Sequence, residues 1–213
     1  MGGVIGATSG KFILMATSLL LHGRIDGVDV HVAIVPAAPT SALSTALEAR
    51  IRSRSRKADA TIGLRAESFQ ARLDTLEVIP AAGTDLRIGQ DLLNEHPIEI
   101  DFKHHEIQPL LPGEARRIER ASIAIPVRRE ADGTLSVDLA MGEHTTTRAK
   151  LDLSSATGVT VSGSEPATVV KVGPARLPGI EVTDGPGPVV GLYAFRSARV
   201  IFDLGNDRIW IRP

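Results

Sequence analysis

Cysteine is absent from this chain of 213 residues. Its absence excludes disulfides, thiolate metal sites, iron–sulfur clusters and thiol nucleophiles. Aromatic residues make up 3%, too few for base-stacking platforms or aromatic cages. Charge of one sign is lacking as well. Twenty-four Lys and Arg against 25 Asp and Glu leave a net charge of -1, which creates no overall field for nucleic acid or an anionic membrane. The longest apolar run, FILMATSLLL from Phe12 to Leu21, is too short to span a bilayer. Lys11 precedes it as in an export signal, but no small-x-small cleavage site follows it: the next residues are His22, Gly23 and Arg24. A buried strand is expected there, and the compartment stays open. H-E-x-x-H, G-x-S-x-G, a P-loop and G-x-G-x-x-G are all missing.

What is present is a globular balance of 43% hydrophobic and 23% charged residues. The length suits one large domain or two small ones. Twenty glycines and 13 prolines favour turns and short strands. Residues 12–21 and 28–35 read as two strands around HGRIDG, where Asp26-Gly27 signals a hairpin turn. From Val28 the pattern alternates and then becomes wholly apolar, so that strand's far end enters the core. PAAPTS ends it. Residues 41–56 read as a helix with Ser41 or Ser44 as N-cap. The basic run RIRSRSRK (50–57) reads as a solvated helix end rather than a nucleic-acid contact. Strands are expected near 70–79 and 97–102. LPGEARRIERAS (111–122) reads as a linker. Strand character returns at 122–128, 135–141 and 146–151, and helix signal is nearly missing from 122 onward. The fold class is mainly β, with a helix or two in the first half.

A repeat underlies the pattern. IGQDLLNEHPIEIDFKHHEI from Ile88 aligns without gaps on VGLYAFRSARVIFDLGNDRI from Val190. One offset of 102 residues carries Gly89 to Gly191, Asp101 to Asp203 and Ile107 to Ile209. Leu93 falls on Phe195, Ile98 on Val200 and Ile100 on Phe202. Each copy reads as a Gly turn, a short helical turn, a strand, an Asp-containing turn and a closing strand. Upstream, AIVPAAPTSALS (33–44) and AKLDLSSATGVTVS (149–162) share a strand, a small-residue turn and a Ser-terminated segment.

These residues resemble the retropepsin/pepsin-like aspartic peptidase family. Its lobes carry a strand ending in D-T-G-A/S, then an apolar-apolar-G-x-D-x-L segment and an iDf strand. Ile88-Gly89-Gln90-Asp91-Leu92-Leu93 and Ile98-Glu99-Ile100-Asp101-Phe102 match in the first half; Val190-Gly191-Leu192-Tyr193 and Phe202-Asp203-Leu204 match in part in the second. The resemblance implies two homologous β-barrel-like lobes of acid-protease type, related by a pseudo-twofold axis, with few short helices. The lobes would be 1–112, with its turn at 35–39, and 113–213, with the Asp152 turn. It implies an inter-lobe cleft for a peptide or extended protein segment, a monomer, and no cofactor or metal. Residues 50–70 would hold either a flap over the cleft or a plain helix and loop.

The catalytic turn departs from that pattern. In the second half Leu151-Asp152-Leu153-Ser154-Ser155 stands where L-D-T-G would, so Asp152 is the candidate catalytic carboxylate. In the first half Val35-Pro36-Ala37-Ala38 stands there, and Val35 or Pro36 replaces the acid according to the gap chosen. The family's hydrolysis needs two carboxylates sharing one proton around a water, one acting as base and the other as acid. Like charge at close range splits their pKa values and so assigns the roles. This chain supplies one acid of the two. Ser154 replaces the glycine that allows close backbone approach, and Leu153 replaces the bridging hydroxyl residue. Lost peptidase activity is therefore expected, the alternative being an active endopeptidase that pairs Asp152 with a carboxylate not evident in the sequence.

Other candidates have plain structural readings. His104-His105-Glu106 reads as a solvated turn, because adjacent strand histidines face opposite ways. His22, His31, His96 and His144 form no ligand spacing. Ser154 and Ser155 satisfy backbone groups rather than act as nucleophiles. Asp101 and Asp203 read as Asx-turn residues, Asp91 as a cap and Trp210 as core.

Overall fold

The computed structural model describes residues 10–14, 19–36, 38–54, 59–64, 67–72, 76–80, 83–95, 97–110, 112–142, 145–153, 155, 157–163 and 169–212. The first half runs β1 (Gly10–Leu14), β2 (Leu19–Ile25), β3 (Val28–Ile34), β4 (Ala42–Ser44), α1 (Thr45–Arg54), β5 (Asp59–Leu64), β6 (Glu67–Arg72), β7 (Glu77–Ile79), β8 (Leu86–Ile88), α2 (Gln90–Glu95), β9 (Ile98–Asp101) and β10 (Glu106–Pro109). After α3 (Pro112–Glu119) come β11 (Ile123–Pro126), β12 (Arg128–Arg129), β13 (Leu135–Met141), β14 (Thr145–Asp152), β15 (Val159–Val161), β16 (Val170–Val172), β17 (Ala175–Leu177), β18 (Val182–Asp184), β19 (Val189–Gly191), β20 (Arg199–Asp203) and β21 (Arg208–Arg212). Short 3₁₀ turns occupy Leu192–Phe195 and Leu204–Asn206. The fold is mainly β with few helices, as the composition suggested.

The β2–β3 hairpin turns at Asp26 (φ 46) and Gly27 (φ 78). Two successive positive φ values make the primed turn that matches strand twist, which is why Asp-Gly stands there. Burial alternates along β2 and the start of β3, then β3 ends in three buried residues, Val32, Ala33 and Ile34. The strand thus dives from a half-solvated surface into the core, as its sequence predicts.

Pairing then follows the same order in both halves. β3 lies parallel to β8, β8 antiparallel to β4, and β4 parallel to β7. β14 lies parallel to β19, β19 antiparallel to β15, and β15 parallel to β18. The β5–β6 hairpin attaches to β2, and the β16–β17 hairpin attaches to β13. The halves meet where β9 pairs antiparallel with β20, Ile98 opposite Phe202 and Ile100 opposite Val200. β10 flanks β9, while β21 and β11 extend the sheet beyond β20.

The period of two along these strands sorts their side chains. Ile98, Ile100, Val200, Phe202, Ile209 and Ile211 enter a continuous core that draws on both halves from Leu19 to Ile211. Phe195 and Phe202 meet edge to face there, with ring centroids 6.0 Å apart. A second, small cluster joins Leu110 and Ile201 with Ile118 of α3 and Trp210. Trp210 therefore packs under α3 and not in the main core.

Three expectations are corrected. The run 12–21 is not one strand: β1 and β2 lie antiparallel, with Phe12 opposite Leu21. The helix expected over 41–56 begins only after β4, and its described part ends at Arg54. Ala42 and Leu43 are good helix formers, but pairing with β7 and β8 overrides that local preference. The segment 111–122 read as a linker contains α3, which opens on Pro112 and carries Glu114 early and Arg116 and Arg117 late. Proline at the first position and this order of charge are what a helix start and macrodipole favour. In the described part of the basic run Arg50, Arg52 and Arg54 are exposed at the end of α1 and Ile51 is buried; Arg52 pairs with Glu48 one turn back at 2.7 Å. Ser44 is the cap of α1, its Oγ accepting from the Leu47 N–H at 3.1 Å. Ser44→Ala should cost about 1 kcal/mol in urea denaturation.

Candidate functional site

Two turns form the centre of the site, and strand register relates them. Ile34 lies beside Ile88 and Leu151 beside Val190, in parallel pairs that each precede a glycine, Gly89 or Gly191. The next residues, Val35 and Asp152, therefore hold the same place. The Val35 N–H donates to the Ile88 carbonyl at 3.0 Å, and Asp152 pairs with Gly191. Each turn then closes alike. The Ala38 N–H donates to the Val35 carbonyl at 2.9 Å, and the Ser155 N–H to the Asp152 carbonyl at 3.1 Å. Further on, the Gln90 N–H reaches the Ala38 carbonyl at 2.8 Å and the Leu192 N–H reaches the Ser155 carbonyl at 2.9 Å. Of Val35 and Pro36, it is Val35, with an aliphatic side chain, that has the same backbone pairing as Asp152. Ala37 and Ser154 lie outside the described residues.

Both turns border one cavity of about 600 Å³. Pro36 and Pro39 line it from the first turn, Gln90 and Asp91 from α2, and Asp152 and Leu153 from the end of β14. Arg129 closes another side, donating from Nη1 to Gln90 Oε1 at 2.8 Å and so tying β12 to α2 across the halves. Pro36 and Leu153 are buried, whereas Asp152 is half-buried at the cavity edge. The Lys150 ammonium stands 3.7 Å from Asp152 Oδ2. An ion pair of this kind is the electrostatic opposite of two acids sharing a proton. Ser155 bonds Thr157 hydroxyl to hydroxyl at 2.8 Å and accepts from the Thr157 N–H at 3.3 Å, the local role expected of it.

Two more carboxylates line this cavity, Asp91 and Asp132. Asp91 does more than cap α2. Its oxygens accept from the Ser41 N–H at 2.9 Å, the Ser41 hydroxyl at 2.5 Å and the Leu92 N–H at 2.8 Å. Ser41 Oγ in turn accepts from the Gly89 N–H at 2.8 Å. This chain of bonds pins the start of β4 to the Gly89 turn, a link between distant segments that residue type alone did not reveal. Asp132 closes its own turn by accepting from the Thr134 N–H at 2.9 Å, and that bond lowers its pKa below the usual value.

Asp101 and Asp203 lie away from the cavity, on the outer face of the β9–β20 pair, and are buried. Asp101 accepts from the His104 N–H at 3.1 Å, three residues on rather than the two of the expected Asx turn, so it closes its turn in a wider ring. Asp203 accepts from the Asn206 side-chain amide in the matching place. His104 and His105 sit in an exposed turn, and His104 Nδ1–H also donates to Asp101 at 2.8 Å. His22 and His31 face each other across β2 and β3 with ring centroids 4.8 Å apart, a proximity that their sequence separation hid. His96 and His144 lie outside the described residues. Among the described residues, no group of three or more His, Asp or Glu is placed to hold a metal ion. Among them, too, no helix is long and apolar enough to cross a membrane.

Among solved structures the chain is similar to the retroviral protease-like domain of Ddi1 from Leishmania major. The two are 21% identical over 48% of this chain and 98% of that one, with a TM-score of 0.34. No family model matches the chain. No curated protein matches it either.

Proposed function

We propose that this chain is a two-lobe protein of the retropepsin/pepsin-like aspartic peptidase type that does not hydrolyse peptides. Its cleft is kept as a surface for a peptide or extended protein segment, or as a scaffold, in a monomer. The lobes are 1–112 and 113–213. The identical pairing order of β3-β8-β4-β7 and β14-β19-β15-β18 supports their homology. So does the β9–β20 register: under the 102-residue offset, Ile98 opposite Phe202 and Ile100 opposite Val200 exchange with one another, as a pseudo-twofold axis through the Glu99–Ile201 pair requires. In this reading the β5–β6 hairpin takes the place of the flap.

The observation that carries the loss of activity is Val35 in the register position of Asp152. An aliphatic side chain holds no proton, so the base and acid roles cannot be divided between the turns. Incubated with an unstructured protein at acid pH, the purified chain should release no peptides above the buffer rate, and Asp152→Asn should change nothing. Hydrolysis that disappears in Asp152→Asn would overturn this reading.

The presence of Asp91 and Asp132 in the same cavity favours one second reading, an aspartic endopeptidase in which one of them pairs with Asp152. In that case Asp91→Asn or Asp132→Asn abolishes hydrolysis together with Asp152→Asn. Activity that survives both substitutions excludes it.

A further inference from the structure

The outer face of the β9–β20 pair holds two equivalent carboxylates with unequal partners. Asp101 stands opposite Arg199, which donates to it from Nε at 2.9 Å and from Nη2. The pairing ends at Phe202 opposite Ile98; continued by one residue it leads to Pro97 against Asp203, and these two residues line one cavity. Proline offers no side-chain donor. Asp203 is only 3% exposed, yet both its oxygens accept from one neutral amide, Asn206 Nδ2, at 2.9 Å each. An ionised carboxylate has room for about four donors, and a buried one is costly without opposite charge.

Where Arg199 fills the space beside Asp101, a cavity of about 450 Å³ opens beside Asp203. Pro97, Asn206, Arg116, Glu119 and Arg208 line it with Asp203. Arg208 stands across the β20–β21 hairpin from Asp203, but its guanidinium lies over the Trp210 ring, 5.7 Å from the centroid. Asn206 is the one hydrogen-bond donor to Asp203 among the described residues.

We propose that this cavity binds a guanidinium group supplied from outside the chain, which takes beside Asp203 the place that Arg199 takes beside Asp101. Three acids, Asp203, Glu95 and Glu119, line it against two guanidiniums, Arg116 and Arg208, so the lining keeps a net negative charge that favours a cation. A planar, weakly hydrated guanidinium meets a carboxylate with paired N–H groups better than an ammonium does. The inference rests on the outer face alone and is independent of how the cleft behaves.

Calorimetric titration of the full chain with N-acetyl-argininamide tests it. The neutral isostere N-acetyl-citrullinamide should bind at least about tenfold more weakly. Asp203→Asn should weaken the arginine probe by a similar factor. Pro97→Arg, which supplies an internal guanidinium and keeps the acid, should abolish binding and raise the melting temperature. Free L-arginine distinguishes the sources of the ligand: equal affinity assigns a small molecule, and weaker affinity assigns an arginine side chain of a partner polypeptide. No binding of the arginine probe, equal binding of the citrulline probe, or binding unaltered in Pro97→Arg would overturn the proposal.

Discussion

Arg199→Ala is expected to destabilise the chain by about 3 kcal/mol in denaturant titration, more than Asp101→Asn does. The asymmetry follows from burial. The Asp101 side chain is 9% exposed and that of Arg199 is 39% exposed. Truncating the arginine leaves a buried carboxylate with His104 as its one remaining hydrogen-bond partner among the described residues, whereas neutralising the acid leaves an arginine that still reaches water. The double variant should therefore cost less than the two single variants added.

The same pair predicts a pH dependence. Burial pushes the Asp101 carboxyl upward, but the hydrogen bonds from His104 and Arg199 outweigh it and bring the pKa from 3.8 down to about 2. A depressed folded value means that the unfolded chain takes up the proton first as pH falls. The stabilisation, about 2 kcal/mol, is complete above the unfolded value and is lost as pH drops through the folded one. The stability difference between the native chain and Arg199→Ala should therefore shrink on approaching pH of about 2. A difference that stays constant from neutral to acid pH would show that Arg199 acts by packing alone.

Asp101 also shows what the sequence could disclose. Its place before a turn was readable from the 102-residue offset, because residue order within one strand sets the turn. Its partner Arg199 was not, since only long-range pairing brings the two together. The same distinction explains Val35. VPAA aligns on LDLS equally well in two ways, and only the pairing of β3 with β8 and of β14 with β19 gives Val35 the register of Asp152. α3 is hidden in the sequence for a different reason. Pro-Gly marks a turn as readily as a helix start, and PGEARRIE shows its helical character only in its ordered charges. β4 was hidden inside residues that favour helix, and what makes it a strand lies some forty residues away in β8. The alternation of β2 and β3 was legible throughout, because a half-buried hairpin writes its period directly into the side chains.

Gly191→Ala and Gly89→Ala should each cost on the order of 3 kcal/mol or more, and both should deform the cavity beside Asp152. Neither glycine is required for an unusual φ. Each is required because another backbone passes too close. A Cβ on Gly191 would lie 2.3 Å from the Thr157 carbonyl oxygen, and one on Gly89 would lie 2.5 Å from the Thr40 carbonyl oxygen. Real Cβ atoms do not approach backbone oxygens that closely, so the turn must move. Those turns carry Asp152 and Val35 at their starts, and the Gln90 and Leu192 N–H groups cross-link them to the segments after the glycines. A shift at either glycine is therefore transmitted to the cavity lining. Gly113→Ala is the control. Gly113 lies in α3 with nothing within 4 Å of its Cβ position, so alanine there should stabilise by about 0.5 kcal/mol. Thermal melts of the three variants separate the accounts. If all three behave alike, the loss is not caused by close approach, and the two turns are not held from beneath by these glycines.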